Sequence, residues 1–194
     1  MNVLAMDQAR KGAWSVYDSD EKKLLHYGAF DTKYEESPDG KKTLEYEQSI
    51  VKIEEIMVGL IREYKIKIVF LEDVPIKRGV ALKQLLRLQG ALIAYLTKRK
   101  IPHMLIPPRT WQAHYKYKDK DLTKMLLKYK RHLNTDKPFK TMKDTKKASL
   151  LAVKKIFNME LDNDDLADAI LIGHYAVNNI DIKDEVKKRR RIYG

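Results

Sequence analysis

The stretch "LDNDDLADAILIGHYAV" (161–177) crowds four aspartates against a nearly continuous apolar run. Acidic side chains at a helix start accept hydrogen bonds from unpaired backbone N–H groups and favour the positive end of the dipole. A helix over 164–179 is therefore expected, and capping accounts for Asp162, Asp164 and Asp165, with Asp164 as the candidate cap. Capping does not account for Asp168, which lies about a turn inside, between Ala167 and Ala169. Asp165 and Asp168 are three apart, so both carboxylates project from one helix face. The stretch alone leaves two readings open: a capped helix start, or half of an acidic site.

Working back toward the N-terminus, "DTKKASLLAVKKIF" (144–157) has helical spacing. Before it, residues 116–143 are dense in lysine and interleaved with tyrosine, and read as an insertion with a short helix over 121–132. The first two-thirds of the chain is more regular. "VLAMD" (3–7), "AWSVYD" (13–18) and "LLHYGAF" (24–30) are strand-like runs separated by tight turns, which predicts an antiparallel meander. A polar loop over 31–43 follows, then a helix over 44–64 with Ile50, Ile53, Ile56, Met57, Leu60 and Ile61 at helical spacing. A strand (67–74), a long apolar helix (80–100) and a short strand (103–108) complete the order β-β-β-α-β-α-β. This predicts an α/β fold on a five-stranded mixed sheet, three strands antiparallel and two parallel, flanked by helices. The segment 181–194, ending "VKKRRRIYG", reads as a flexible basic tail on a single domain spanning 1–180.

Two acids end apolar strand runs: Asp7 closes the first strand and Glu72 the fourth. A right-handed crossover through helix 44–64 makes those strands parallel neighbours, so both carboxylates emerge at the edge where open α/β sheets form their sites. Asp165 and Asp168 complete a cluster of four if the last helix packs beside that edge. Carboxylates held together repel, so a cation belongs among them. With no cysteine in the chain and no evident histidine set, oxygen donors point to magnesium or manganese. Two such ions stabilise the attacking and leaving oxygens of a phosphate displacement.

Composition agrees. The chain has 194 residues, 44% hydrophobic and 34% charged, with a net charge of +12 that attracts polyanions, nucleic acid foremost. The absence of cysteine excludes disulfides, and neither a signal peptide nor a membrane span is evident, so a cytoplasmic protein without membrane contact is expected. A metal nuclease accounts for both signs of charge: a basic surface to hold the phosphodiester chain, an acidic pocket to hold the metals.

The segments "MDQARKGAWSVYD" (6–18), "FLEDV" (70–74), "LLRLQGALIAYL" (85–96) and "LADAILIGHYAV" (166–177) resemble the RuvC family of Holliday-junction resolvases, within the ribonuclease H-like superfamily. The likeness runs over most of 1–112 and 144–178 and suggests a divergent, phage-type member. It implies that Asp7, Glu72, Asp165 and Asp168 ligate two divalent ions, Mg2+ or Mn2+. It further implies that a lysine on the preceding helix, best matched by Lys147 with Lys146 as the neighbour, assists the chemistry. The implied substrate is a four-way DNA junction cut by a homodimer, whose two-fold axis matches that of the junction. The helix 80–100, apolar around much of its circumference and carrying Gly90, suits a dimer contact.

Two departures stand out. Where relatives often carry a second basic residue after an arginine, "PPRTWQAHYK" (107–116) has Trp111 and Gln112, leaving Arg109 or Lys116 for that role. After the glutamate, "EDVPIKRGV" (72–80) lacks an aromatic wedge, and Lys77 and Arg78 suit phosphates. Two other readings stay open: a ribonuclease H-like nuclease acting on other branched DNA or on RNA–DNA hybrids, and a junction binder without catalysis.

Overall fold

The computed structural model describes residues 1–38, 40–74, 80–116 and 142–193. Strands β1 (Asn2–Asp7), β2 (Lys11–Asp18) and β3 (Lys23–Asp31) form the expected meander. Helix α1 (Tyr46–Glu63) then crosses to β6 (Ile68–Glu72), and α2 (Val80–Lys98) crosses to β7 (His103–Ile106). The sheet order is β3-β2-β1-β6-β7, with β1, β6 and β7 mutually parallel. This is the five-stranded mixed sheet expected from the sequence. Among the described residues, no helix is long and apolar enough to cross a membrane.

Strand alternation sorts the core into two layers. Val3, Ala5, Ile68 and Phe70 face a layer that includes Trp111, Tyr115, Ala148, Ala152 and Ile170. Leu4, Met6, Val69 and Leu71 face α1 and α2 through Ile53, Met57, Leu60, Leu88, Leu92 and Leu96. With both faces covered, β1 and β6 are apolar at nearly every position, as a central parallel pair must be.

Helix α3 (Pro108–Lys116), α4 (Met142–Phe157) and α5 (Asp164–Asn179) supply the first layer. Helix α5 lies close on β2. Ser15 Oγ donates to the Ala169 carbonyl at 2.7 Å and Tyr17 OH to the Ile170 carbonyl at 2.9 Å. A Cβ at Gly173 would fall 2.5 Å from the Tyr17 ring and 2.7 Å from Ser15 Oγ, so only glycine permits this approach.

Three expectations are corrected. The loop over 31–43 contains a hairpin, β4 (Tyr34–Ser37) and β5 (Gly40–Thr43), which forms its own two-stranded sheet. Helix α3 was not anticipated; Pro108 occupies its first position, where the missing N–H is harmless. The segment read as a flexible tail contains helix α6 (Ile182–Tyr193). Its Ile182 and Val186 are buried in the core, and Tyr193 stacks on His103 with ring centres 5.7 Å apart. A charge run at a chain end resembles a solvated tail unless its two apolar residues, four apart, are read as one helix stripe. The helix expected over 121–132 lies outside the described residues.

Tyr115 on α3 and His174 on α5 tie these helices together, hydroxyl to Nδ1 at 2.7 Å. Burial pushes the tyrosine hydroxyl well above its ordinary range, so it keeps its proton. Burial, helped by nearby His114, holds His174 below the usual imidazole value of 6.5. Burial likewise lowers His103. The unfolded chain therefore takes up protons that the native state refuses. Stability is complete above about pH 6.5 and falls as the pH drops through that value toward the depressed native values. Unfolding midpoints should decline between pH 7 and 5, and His174→Gln should flatten that decline. An unchanged slope in the variant would refute the assignment.

Candidate metal and nucleic-acid site

Parallel pairing of β1 with β6 sets Met6 opposite Leu71, so Asp7 and Glu72 end adjacent strands at the same sheet edge. Asp7 continues the side of Val3 and Ala5, and Glu72 the side of Ile68 and Phe70. Both carboxylates thus belong to the face covered by α3, α4 and α5. Along β2, Tyr17 pairs with Val3, Ser15 with Ala5 and Ala13 with Asp7. Gly173 abuts Tyr17 and Ser15, and Ala169 meets Ser15. The helix therefore steps toward the Asp7 end as it is followed back to its N-terminus. Its first turns, with Asp164, Asp165 and Asp168, point at the edge where Asp7 and Glu72 emerge. Asp7, Glu72, Asp165 and Asp168 are all half-buried.

The cap of α5 is Asn163, whose side chain accepts from the Leu166 N–H at 3.2 Å. This corrects the assignment of Asp164 as the cap; Asp164 and Asp165 both lie in the first turn. An aspartate-rich start hid the asparagine that does the capping, since both residues cap equally well.

Glu72 is held from several sides. The indole Nε1 of Trp111 donates to its Oε1 at 2.9 Å. Gln8 and Gln89 both donate side-chain amides to the Glu72 carbonyl, the latter at 3.2 Å, and Gln89 also reaches Asp73 Oδ1 at 3.4 Å. None of Gln8, Gln89 or Trp111 as a Glu72 partner was anticipated. A fully buried tryptophan needs a partner for its N–H, and Glu72 supplies it. Trp111 thus places a neutral donor on the same helix as Arg109.

Arg109 is exposed in the first turn of α3. Lys116 ends that helix, and Lys146 and Lys147 lie in the first half of α4. Lys77 and Arg78 fall outside the described residues, as does most of the lysine-rich segment.

The donor set suits a hard divalent cation: oxygen atoms only, with no cysteine in the chain. As placed, however, no three acidic or histidine side chains among the described residues gather closely enough to hold one ion. The backbone brings the candidate ligands to one edge without assembling them.

No family model matches this sequence, and no curated protein matches it. Solved structures do. The chain is similar to Thermus thermophilus RuvC in complex with a Holliday junction substrate, at 16% identity and a TM-score of 0.57 over 92% of this chain and 96% of that one. It is similar to the yeast mitochondrial Holliday junction resolvase, at 15% identity and a TM-score of 0.53 over 98% and 82%. It is also similar to the fowlpox virus resolvase bound to Holliday junction DNA, at 13% identity and 0.54 over 92% and 97%. The fold is that of the RuvC-like resolvases, a ribonuclease H-like α/β fold.

The Trp111–Glu72 bond is measurable by itself. Trp111→Phe retains the ring but removes the N–H, and should cost about 1–3 kcal/mol of stability, as loss of a hydrogen bond to a charged group does. The same substitution in a Glu72→Ala background should cost measurably less. Equal costs by chemical denaturation in both backgrounds would assign the loss to packing.

Proposed function

We propose that this protein is a divalent-metal-dependent endonuclease that resolves four-way DNA junctions by paired symmetric cuts. The observation that carries the reading is the convergence of Asp7, Glu72 and the acidic first turns of α5 on one sheet edge of a chain with net charge +12. The fold shared with proteins solved on Holliday junction DNA supports the substrate.

In this reading Asp7, Glu72, Asp165 and Asp168 hold two Mg2+ or Mn2+ ions. When bound, these ions supply Lewis-acid stabilisation of the attacking and leaving oxygens. Trp111 fixes the orientation of the Glu72 carboxylate, and Lys147, or its neighbour Lys146, contributes positive charge at the scissile phosphate. Arg109, Lys116, Lys77 and Arg78 contact the DNA backbone around the cut.

Symmetric cutting calls for a homodimer, and α2 supports one. Leu86 is 46% exposed, Gly90 has nothing within 4 Å of a Cβ position, and Ala94 is exposed on the same stripe. A second copy of α2 crossing there would cover the leucine and approach closely at the glycine.

The decisive experiment is cleavage of synthetic junctions, flaps, RNA–DNA hybrids and linear duplex side by side with magnesium. Junctions should be cut preferentially, and preference for hybrids would replace this reading with a ribonuclease. Asp7→Asn, Glu72→Gln, Asp165→Asn and Asp168→Asn should each abolish cleavage while retaining junction binding, whereas Asp164→Asn should be nearly silent. Leu86→Glu should shift the protein toward monomer in sedimentation and suppress paired cutting. A variant that stays dimeric would remove α2 from the interface.

A further inference from the structure

Positive charge also collects at the opposite edge of the sheet, where β1, β6 and β7 begin. Helix α6 crosses that edge. At one end Lys183 Nζ meets Asp20 Oδ1, in the β2–β3 turn, at 2.8 Å. At the other, Tyr193 stacks on His103, the first residue of β7. From β2 to β7 is three strand spacings, about 14–15 Å, and a helix of 12 residues is about 18 Å long, so α6 runs beneath the starts of β1 and β6. With Ile182 and Val186 buried, Lys187, Lys188, Arg190 and Arg191 stay exposed on an anchored element, Lys188 Nζ lying 3.8 Å from Glu185 Oε1.

Two further cationic segments reach this edge from the other face of the sheet. Lys65 and Lys67 lead into β6, with the Lys67 N–H bonded to the Asn2 carbonyl at the start of β1. Lys98, Arg99 and Lys100 lead into β7, and the Pro102 carbonyl accepts from the Val69 N–H.

The backbone at two of these lysines is informative. Helix α1 closes with Ile66 N–H on the Ile61 carbonyl and Lys65 N–H on the Arg62 carbonyl; α2 closes in the same way, Ile101 on Leu96 and Lys100 on Thr97. Such closures place the penultimate residue in the left-handed region, where glycine is favoured. Here that residue is Lys65 at φ 52° and Lys100 at φ 55°. Lysine occupies the strained position in both, at the same sheet edge, on helices of unrelated sequence. Attraction to the negative helix end is one gain from such a residue. It covers Arg190 and Arg191 in the last turn of α6 as well, but it does not account for Lys67, which leads into β6, or for Lys187 and Lys188, which precede that turn.

We propose that this strand-start edge is a second, non-catalytic surface for duplex DNA, remote from the carboxylate edge by the length of the strands. Duplex DNA presents one negative charge per about 1.7 Å of axis, so a strip as long as α6 faces about ten phosphates. Cations from three chain segments, carried on anchored backbone, complement that density. Engaged at both edges, the protein holds two duplex segments at once.

The test withholds divalent metal, so it does not depend on cleavage. One variant is Lys65→Gly with Lys100→Gly, in which glycine relieves the left-handed strain and the unfolding midpoint should hold or rise. The other is Lys187→Ala, Lys188→Ala, Arg190→Ala and Arg191→Ala, which spares Ile182, Val186 and Tyr193. Binding of a linear duplex is titrated against salt, and capture of a second, labelled duplex by protein already bound to an immobilised one is measured. The combined variant should lose at least tenfold in capture, and the slope of log affinity against log salt should fall by about 0.9 for each phosphate contact removed. Equal capture and equal slopes for wild type and variant would overturn the proposal. So would an RNA hairpin or an acidic protein displacing the second duplex at lower concentration than duplex itself, which would assign the surface to that partner. Junction cleavage with magnesium, measured separately, tests the other edge, so failure at one edge leaves the other reading standing.

Discussion

The parallel register of β1 with β6 is the constraint on which the site depends. Because side chains alternate with period two, a one-residue slip would send Asp7 and Glu72 to opposite faces of the sheet. Register is therefore fixed by the core: Val3, Ala5, Ile68 and Phe70 must face one helical layer, and Leu4, Met6, Val69 and Leu71 the other. Both sets are fully buried, so a slip would exchange two complete apolar rows. The acids take their place as the next residues on strands whose apolar rows are already committed.

The second element of the site relies on close packing. Helix α5 approaches β2 at Gly173 nearer than any side chain allows, and Ser15 and Tyr17 reach its backbone carbonyls with their hydroxyls. Those bonds satisfy buried polar groups and fix the helix along its axis, which sets how far Asp165 and Asp168 project toward the strand ends. The third element, α3, is fixed to α5 by Tyr115 and His174 and to Glu72 by Trp111. Strand, helix and buttress thus form a closed loop of contacts around the acidic edge.

Much of this was legible in the sequence because it follows from periodicity. The span 164–179 for helix α5 and the order of five strands came from apolar spacing and turns, and the position of Asp7 and Glu72 from where apolar runs stop. What was not legible depended on partners distant in sequence. Nothing local marks Trp111 as a donor to a glutamate 39 residues away. The α6 stripe of Ile182 and Val186 is too sparse to stand out within a charge run. The hairpin at 34–43 pairs polar residues such as Glu36 with Lys41, without the apolar alternation that identifies a strand. Asn163 was masked by the aspartates beside it, which are equally good caps.

The sheet also organises the electrostatics of the whole chain. In a protein with net charge +12, acids gathered at one edge lie among many cations, and ion pairs with them would offset their charge. Three of the donors to Glu72 at that edge are neutral: the Trp111 indole to its carboxylate, and the Gln8 and Gln89 amides to its backbone carbonyl. A lysine at position 111 would compete directly with a divalent ion for the carboxylate, whereas an indole N–H orients the oxygen and leaves its charge in place. Cations also end α1 and α2 and line α6, at the edge where strands begin, a strand length of about 17–20 Å away and well beyond the Debye length at physiological salt. At that separation the cations at the strand starts contribute little to the field at Asp7 and Glu72, so the two edges can act with little interference from one another.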